Sequence, residues 1–458
     1  MASDTAVKER RVKRDPRPSR SAELVLLFLA WLITTAFYIL ASLGAQNHLP
    51  PRLVVFLTVI VATSLAMHIA IRIYAPRASQ ILLPVSVLLN GIGYVEIARW
   101  DPILAGDQAL WFLISAAGVV ATLKFVRHVR DLDRYRYLTL SAAILLLLLP
   151  LVPHVGYSSG GARLWVQLGP LSFQPVEIGK ILLAFFFASY FAANRELLST
   201  PTQRIGRMLI VPPKTLIPIV FAWGCALAIL GAENNIGFAM LLFALFMSLL
   251  WVTTGLKTYV VLGVGLFAGA AYMASRYFAQ VHTRISEWLN PWSVVNFTHS
   301  SQIAYGWFSL AAGGIVGTGL GLGQSGTNIP DITSDMIFAA VGEELGFIGL
   351  ILVLCLFVAF VGEGFRIAQK AHSDFVRLAA VGLTVIVGFQ AFFIMAGVLR
   401  ILPFTGMVLP FVAYGGSSLF ANYIIVAVLL RISDENANEV RGGEIHAVQF
   451  SKRIRDRE

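Results

Sequence analysis

Long apolar blocks, each about the length of a membrane-spanning helix, constrain the fold of this 458-residue chain more than any other feature. A helix needs ~20 mostly apolar residues to cross the hydrocarbon core of a bilayer. The sequence contains twelve such blocks: 22–45, 53–74, 80–98, 109–126, 138–153, 172–193, 216–232, 235–254, 257–279, 337–365, 378–400 and 407–430. This pattern predicts an all-α fold, a polytopic transmembrane helical bundle of about 12 spans.

Composition supports the membrane class against soluble alternatives. Only 13% of the residues are charged, against about 25% in soluble globular proteins. The two cysteines, Cys225 and Cys355, lie inside apolar blocks, so we expect packing residues and no disulfide framework. The first apolar block is too long for the hydrophobic region of a signal peptide and lacks a clear cleavage site, so it predicts a retained membrane helix.

The distribution of Lys and Arg predicts which side of the membrane each connecting segment faces. One set of alternate segments, which includes both ends of the chain, carries 28 of the 35 basic residues, and the opposite set carries 6. Both termini are therefore predicted to be cytoplasmic. This bias accounts for the net charge of +10, so the predicted partner of the basic residues is anionic membrane lipid and no nucleic acid is expected.

The same segmentation divides the chain into four parts. They are a disordered basic cytoplasmic tail (1–20), an N-terminal transmembrane hairpin (21–79), a transmembrane core (80–432) and a polar cytoplasmic tail predicted to be disordered (433–458). The one large outer loop is 280–336, and loops of this length are usually functional or disordered. Its tryptophans and its glycine run favour a loop that folds against the membrane surface.

Asp335 stands at the outer mouth of the span that begins near residue 337. One interpretation is that Ser334 or Asp335 caps this helix by accepting hydrogen bonds from its first free N–H groups. The other is that the Asp335 carboxylate acts as a general base on a lipid-linked substrate at the headgroup level. The two roles are compatible, and the sequence leaves both open.

Ionisable residues within or beside the apolar blocks are further candidates. A charge inside the bilayer costs ~2.5–3.5 kcal/mol or more, so such residues normally face the bundle interior and have partners. Glu177 and Lys180 share one helical face and form either a structural ion pair or a substrate-facing pair. Glu343 and Glu344 are likewise either structural or substrate-binding. Arg163, in an outer loop, is either solvated or a phosphate ligand, because its guanidinium is planar and permanently charged.

The alternate glycines from Gly317 to Gly323 lack the strand–helix context of a nucleotide-binding loop. We interpret them as flexible backbone or as a turn that permits a close approach. The sequence has no Walker motif, no HExxH motif and no clustered Cys and His residues. These observations predict no organic cofactor.

Together these motifs resemble the shape, elongation, division and sporulation (SEDS) family, and within it the actinobacterial members of the RodA/FtsW group. The matching segments are 161–165, 174–180, 290–292, 313–321, 334–339, 342–346, 405–406, Pro410 and 414–418. No single segment is decisive, but their order and spacing are specific and extend over most of 80–432. The family core has ten spans, which leaves the hairpin at 21–79 as an addition.

The resemblance implies a peptidoglycan glycosyltransferase that polymerises lipid-linked disaccharide-pentapeptide at the outer face of the bacterial plasma membrane, for cell shape and elongation. Asp335 matches the family's essential carboxylate and would deprotonate, or hydrogen-bond, the sugar 4-hydroxyl that attacks the anomeric carbon. The polyprenyl diphosphate leaving group needs positive charge, for which Arg163, Lys180 and a divalent cation (Mg²⁺ or Mn²⁺) are the candidates. The implied substrate-binding residues are Arg163, Glu177, Lys180, Gln302, Glu343 and Glu344. The implied partner is a class B penicillin-binding protein, which is a single-span transpeptidase.

Several positions depart from the family pattern. Asn235 stands where the family commonly has Asp, and this loses a negative charge that Glu233 could replace. Gln302 and Tyr305 match a Tyr-Gln segment of the family only in part. These departures motivate one alternative, a catalytically weak membrane scaffold of the cell-wall synthesis machinery. A flippase for the lipid-linked precursor, with the intramembrane charges lining its pathway, is the other alternative.

Overall fold

The fold is that of a computed structural model, and it describes residues 19–159, 162–168, 171–199, 203–205, 208–210, 213–233, 235–293 and 302–455. The helices are α1 (Ser21–Gln46), α2 (Leu53–Tyr74), α3 (Leu82–Trp100), α4 (Pro102–Phe125), α5 (Arg136–Leu148), α6 (Val176–Ala193), α7 (Arg195–Ser199), α8 (Pro213–Ala232), α9 (Ile236–Thr254), α10 (Lys257–Tyr277), α11 (Ala279–Leu289), α12 (Gln302–Gly313), α13 (Ser325–Asn328), α14 (Ile337–Gln369), α15 (Asp374–Val398) and α16 (Gly416–Arg455). The strands are β1 (Gly156–Ser159), β2 (Ala162–Leu168), β3 (Leu171–Phe173), β4 (Gln203–Ile205) and β5 (Met208–Ile210). The predicted tail 1–20 lies almost entirely outside the described residues.

Eleven helical segments among the described residues are long and apolar enough to cross a membrane. The shorter apolar helix Ile217–Ala232 occupies the position of a twelfth. The prediction of an all-α, polytopic bundle is confirmed, and the strands are confined to two small antiparallel sheets in the described part of the chain. The side of the membrane on which each terminus lies stays a prediction.

The predicted span 109–126 begins too late, because α4 starts at Pro102. Asp101 caps this helix, and its carboxylate accepts hydrogen bonds from the N–H groups of Ile103 (2.8 Å) and Leu104 (3.0 Å). An Asp followed by Pro is a strong start signal for a helix. The helix-start signal that the prediction missed is therefore Asp101 and Pro102, which precede the apolar block.

The predicted span 407–430 begins too early, because α16 starts only at Gly416. The preceding segment, 399–415, is not an α-helix, and Gly406 and Phe411 in it have φ angles of 64° and 65°. Left-handed conformations of this kind interrupt a helix. The N–H of Tyr414 donates instead to the carbonyl of Thr333 at 2.8 Å, so this segment lies against the residues that precede α14.

The N-terminal hairpin packs as an outer layer on the first two core helices, with α1 against α3 and α2 against α4. Within the hairpin, the Trp31 indole N–H donates to the Ser64 hydroxyl at 2.8 Å. At its base, the Arg20 guanidinium donates to the carbonyl of Ala78 at 2.9 Å in the loop that leads to α3. The hairpin is therefore bound both to itself and to the core.

The prediction of a disordered C-terminal tail from residue 433 is wrong, since α16 continues as a helix through Arg455. Of the polar residues that begin this tail, Asp434 and Asn436 are buried and Glu435 is half-buried, and all three have partners. Asp434 accepts from the N–H of Arg77 at 2.8 Å, Glu435 accepts from the N–H of Val129 at 2.9 Å, and Asn436 donates to the carbonyl of Ile367 at 2.9 Å. Composition alone could not reveal these contacts, because every partner is distant in sequence.

Candidate active site

Asp335 lies in a tight turn immediately before α14, at the end of the outer loop. The N–H groups of Ser334 and Asp335 both donate to the carbonyl of Asp331, each at 3.1 Å. The turn leaves the Asp335 side chain half-buried. The capping interpretation is wrong, because the N-cap residue of α14 is Met336, and no side-chain hydrogen bond caps this helix. The carboxylate is therefore not used as a helix cap.

Arg284 of α11 and Asp335 converge on Gly406. A Cβ atom at Gly406 would lie 3.2 Å from Nη2 of Arg284 and 3.5 Å from Oδ2 of Asp335. The positive φ of Gly406 and this close approach both favour glycine. Arg284 is oriented by its hydrogen bond from Nη1 to the carbonyl of Phe404, at 2.8 Å. A permanent positive charge thus stands beside the carboxylate, and sequence reasoning did not identify it.

Burial raises the pKa of Asp335 to about 6, and the neighbouring Asp331 carboxylate also raises this pKa. The Arg284 charge and a hydrogen bond from Ser334 lower the pKa of Asp335, but they do not offset burial. Burial lowers the pKa of Arg284 below its usual range, and the Asp335 carboxylate opposes that change. A carboxyl with a pKa near 6 is mostly ionised at pH 7 and is a stronger base than an ordinary Asp. These are the properties that general-base catalysis requires.

Aromatic residues of the outer loop hold α11 in position. The Trp288 indole N–H donates to the carbonyl of Arg400 at 3.1 Å, and Nε of Arg400 donates to the carbonyl of Trp288 at 2.6 Å. The Trp307 indole N–H donates to the carbonyl of Val398 at 2.9 Å. The described parts of the outer loop are thereby bound to the end of α15, which fixes Arg284 near segment 399–415.

Glu177 and Lys180 form the predicted i, i+3 ion pair on α6, and both side chains are buried. Lys180 also donates to Oε1 of Gln390 at 2.7 Å. Gln390 in turn donates to the carbonyl of Val408 at 2.9 Å. The pair is therefore linked through α15 to the same segment, 399–415, that carries Gly406.

Arg163 lies on β2, and its backbone N–H donates to the carbonyl of Glu233 at 3.2 Å. Glu233 is buried, and its carboxylate oxygens have no hydrogen-bond partner among the described residues. Burial raises the pKa of Glu233 to about 8. Asn235 caps α9, since its Oδ1 accepts from the N–H of Phe238 at 3.2 Å. The small sheet and the α8–α9 tip thus bring Arg163 near a buried acid.

An apolar groove of about 730 Å³ lies between α8, α9 and α10, and its lining includes Gly231 and Asn235, which stand on either side of Glu233 in the sequence. Trp223, Phe243 and Phe267 contribute to its walls, and Asn235 is one of its few polar lining residues. The groove therefore combines a long apolar surface with a polar end. This combination suits a ligand with an aliphatic chain and a polar head.

Glu343 and Glu344 bind the glycine-rich loop. Glu343 accepts from the N–H groups of Gln324 and Ser325, each at 2.8 Å. Glu344 accepts from the N–H of Gly321 at 2.9 Å and forms an ion pair with Arg99. The structure thus supports the structural interpretation of both carboxylates, and their role in substrate binding stays a prediction.

The glycine run passes close to the start of α14, as the close-approach interpretation predicts. Gly317, Gly319 and Gly321 all have positive φ, and Thr318 donates its N–H to the carbonyl of Glu343 at 2.9 Å. Gln302, at the start of α12, donates to the carbonyl of Pro330 at 3.0 Å, in the segment that leads to Asp335. The side chain of Gln302 therefore contacts the backbone of the segment that leads to Asp335.

Comparison with family models gives a match to the FtsW/RodA/SpoVE family, described as "Cell cycle protein", over residues 97–438. The peptidoglycan glycosyltransferase RodA of Mycobacterium tuberculosis is 36% identical over 430 residues, or 91% of each chain. The protein of the same name from Mycobacterium leprae is 33% identical over 438 residues, or 93% of each chain. The family match begins after the N-terminal hairpin, whereas the mycobacterial relatives are matched over nearly their whole length.

Two solved structures share the fold. One, described as "Structural coordination of polymerization and crosslinking by a peptidoglycan synthase complex", gives a TM-score of 0.64 at 23% identity and covers 78% of this chain and 98% of the other. The crystal structure of the rod shape determining protein RodA of Thermus thermophilus gives a TM-score of 0.55 at 23% identity, with 78% of this chain and 96% of the other covered. At this identity the likeness concerns the fold.

Proposed function

This chain belongs to the FtsW/RodA/SpoVE family, and from that premise we propose that it is a peptidoglycan glycosyltransferase in which Asp335 is the general base. It is a multi-pass protein of the bacterial inner membrane. The observation that carries the proposed role is the convergence of Asp335 and Arg284 on Gly406, outside the spans. A half-buried carboxylate with a pKa of about 6 is suited to accept a proton at neutral pH.

In the proposed reaction, Asp335 takes the proton of the attacking sugar 4-hydroxyl. The hydroxyl oxygen forms a bond to the anomeric carbon of the donor, and the bond from that carbon to the diphosphate oxygen breaks with inversion. Polyprenyl diphosphate leaves with the bonding electrons. Arg284 stabilises negative charge close to this centre.

The donor lipid is proposed to lie in the groove between α8, α9 and α10, with its diphosphate toward Arg163. The backbone N–H of Arg163 donates to the carbonyl of Glu233 in the tip between α8 and α9, and Asn235 of the same tip lines the groove. Lys180 is a weaker candidate for this role, because Glu177 and Gln390 already take up its ammonium group. Arg163 is therefore the preferred phosphate ligand.

A divalent cation, Mg²⁺ or Mn²⁺, remains part of the proposal. The described residues contain no group of three or more His, Cys, Asp or Glu side chains that could hold a metal ion. Mg²⁺ is commonly held by one or two carboxylates together with substrate phosphates, so the proposed ion does not require such a group. Glu233 is the carboxylate that would serve, and the ion would neutralise charge on the diphosphate.

A class B penicillin-binding protein is the proposed partner. The fold match to a peptidoglycan synthase complex supports an assembly that couples polymerisation to crosslinking. The exposed apolar residues Phe347, Ile351 and Leu354 on α14 are suited to contact either lipid or a partner's single span.

The experiment that tests the proposed activity is polymerisation by the purified chain in detergent with its class B partner and lipid-linked disaccharide-pentapeptide. We expect glycan strands that a muramidase degrades. Precursor movement across vesicle membranes without any strand formation would instead favour the flippase. The absence of both activities, in a preparation that binds its partner, would favour the scaffold.

Replacing Arg284 by Gln is expected to shift the pH dependence of polymerisation. The general base must be ionised, so activity should fall as pH falls through about 6, the pKa of Asp335. Arg284 lowers that pKa, so its removal should move the midpoint upward by roughly one pH unit, within the range for a neighbouring charge. Rates measured from pH 5 to 9 check this shift.

Arg276→Gln is the matched control, because Arg276 is an exposed arginine on the predicted outer side, and its guanidinium donates to the Tyr272 hydroxyl at 3.1 Å. Its pH profile should superimpose on that of the wild type. An unchanged midpoint in Arg284→Gln, despite normal folding, would contradict the proposed electrostatic link between Arg284 and Asp335.

A further inference from the structure

A basic pocket of about 880 Å³ lies at the other end of α14 from Asp335. α14 is interrupted at Gly346, where φ is 66° and ψ is −165°, and the continuous part that follows, from Phe347 to Gln369, alone spans ~35 Å at 1.5 Å per residue. The pocket is therefore remote from the candidate active site. Arg77, Arg366, Lys370 and His372 line it, and Glu363 is the one carboxylate in its described lining. The pocket therefore carries a net positive charge.

The walls of the pocket are fixed by contacts that need no ligand. One wall is the loop after α2, where the N–H of Arg77 donates to Asp434 at 2.8 Å and the N–H of Ser79 donates to the Ser433 hydroxyl at 3.0 Å. The opposite wall is the end of α14. The side chain of Asn436 in α16 donates a hydrogen bond to the carbonyl of Ile367 in this wall. Three parts of the chain thus form a preorganised cleft.

The charges inside the cleft leave capacity for an anion. Glu363 is paired with Arg366 at 3.2 Å, so its negative charge is already compensated. Lys370 is exposed and has no ion-pair partner among the described residues. Arg77 contacts the neutral amide of Asn438 through its guanidinium. The Asp434 carboxylate also lies near Arg77, but it is shared with Arg431 at 4.0 Å. Arg77 and Lys370 together therefore leave a net positive charge on the two walls of the cleft.

The position of the cleft matches the headgroup layer of the membrane. The apolar helix α2 ends at Tyr74 and α14 ends at Gln369, so the cleft begins where the apolar stretches end. The bias of Lys and Arg assigns this side to the cytoplasm. Basic pockets between transmembrane helices on that side commonly bind anionic lipid headgroups.

We propose that this cleft binds the phosphate of an anionic phospholipid from the cytoplasmic leaflet. The Arg77 guanidinium would donate to the phosphate oxygens, and the Lys370 ammonium would act as a point charge from the opposite wall. The bound lipid would link the base of the N-terminal hairpin to the end of α14. The hairpin, which lies outside the family match, thereby gains a contact with the core that depends on lipid.

The test uses the full chain in a zwitterionic detergent, titrated with short-chain phosphatidylglycerol. Thermal unfolding and native mass spectrometry report binding, and short-chain phosphatidylcholine and inorganic phosphate are parallel titrants. Phosphatidylglycerol is expected to raise the unfolding temperature until the site is saturated, whereas phosphatidylcholine is expected to have no comparable effect. The Arg77→Gln, Lys370→Gln double variant should bind phosphatidylglycerol roughly 30-fold more weakly, because the loss of each basic residue near the headgroups weakens binding about fivefold.

Arg366 is kept in this variant, since its removal would leave the buried Glu363 without a partner. The control variant is Lys124→Gln, Arg127→Gln, which removes two exposed cations from outside the cleft and should bind like the wild type. The single variant Lys370→Gln, at an exposed position, should give an intermediate loss even if the double variant folds poorly. Equal binding of both phospholipids, or wild-type affinity in both cleft variants, would overturn the proposal. A full response to inorganic phosphate would also overturn it and identify a site for soluble phosphate.

Discussion

Replacing Asp335 by Asn is expected to reduce glycan polymerisation by at least ~100-fold, the lower end of the range for loss of a general base. Asn has nearly the same shape as Asp but cannot accept the proton of the sugar hydroxyl. The fold should persist, because the Asp335 side chain does not cap α14 and the turn is held by backbone hydrogen bonds to Asp331. The measurement is strand formation by purified variant and wild type with the same class B partner.

Asp331→Asn is the matched control for this substitution. Asp331 is exposed, lies in the same turn and contributes its backbone carbonyl to the hydrogen bonds, all of which the variant retains. Its φ of 53° is one that Asn adopts readily. The control should polymerise at close to the wild-type rate. Wild-type strand formation by Asp335→Asn would refute the general-base role, and full rescue of a depleted strain by the same variant would favour the scaffold.

The features that sequence reasoning located correctly are those encoded locally. The apolar blocks identified the helices because membrane spans depend on a run of about twenty residues. Glu177 and Lys180 were correctly paired because a spacing of three places two side chains on one helical face. Asp335 was found from its place at the mouth of a span and from the motif around it.

The features that were missed depend on contacts between distant segments. Arg284 is one of six outward arginines in the sequence, and its importance follows from the turn at Gly406, which is more than 100 residues away. The loop-binding contacts of Glu343 and Glu344 require the glycine run to return over α14. The buried start of the C-terminal tail likewise depends on partners near Arg77 and Val129. No spacing rule along the chain reports such contacts.

Replacing Lys180 by Met is expected to lower the free energy of unfolding by ~3–5 kcal/mol, because it leaves the Glu177 carboxylate buried without its cation. Glu177 is fully buried, and Lys180 is the cation with which it forms an ion pair. Met retains most of the aliphatic stem of Lys, so lost packing contributes little. Thermal and denaturant unfolding in detergent measure the change.

The double variant Glu177→Gln, Lys180→Met separates a structural pair from a catalytic one. Removing both charges eliminates the unpaired carboxylate, so stability should return to within ~1 kcal/mol of the wild type, as replacement of a buried ion pair often does. The Lys180 hydrogen bond to Gln390 is lost, but Gln390 keeps its bond to Val408 in the segment that carries Gly406. We therefore expect the double variant to polymerise within tenfold of the wild-type rate. A stable double variant without activity would mean that the pair acts on the substrate, and Lys180 would then join Arg163 as a candidate ligand of the diphosphate.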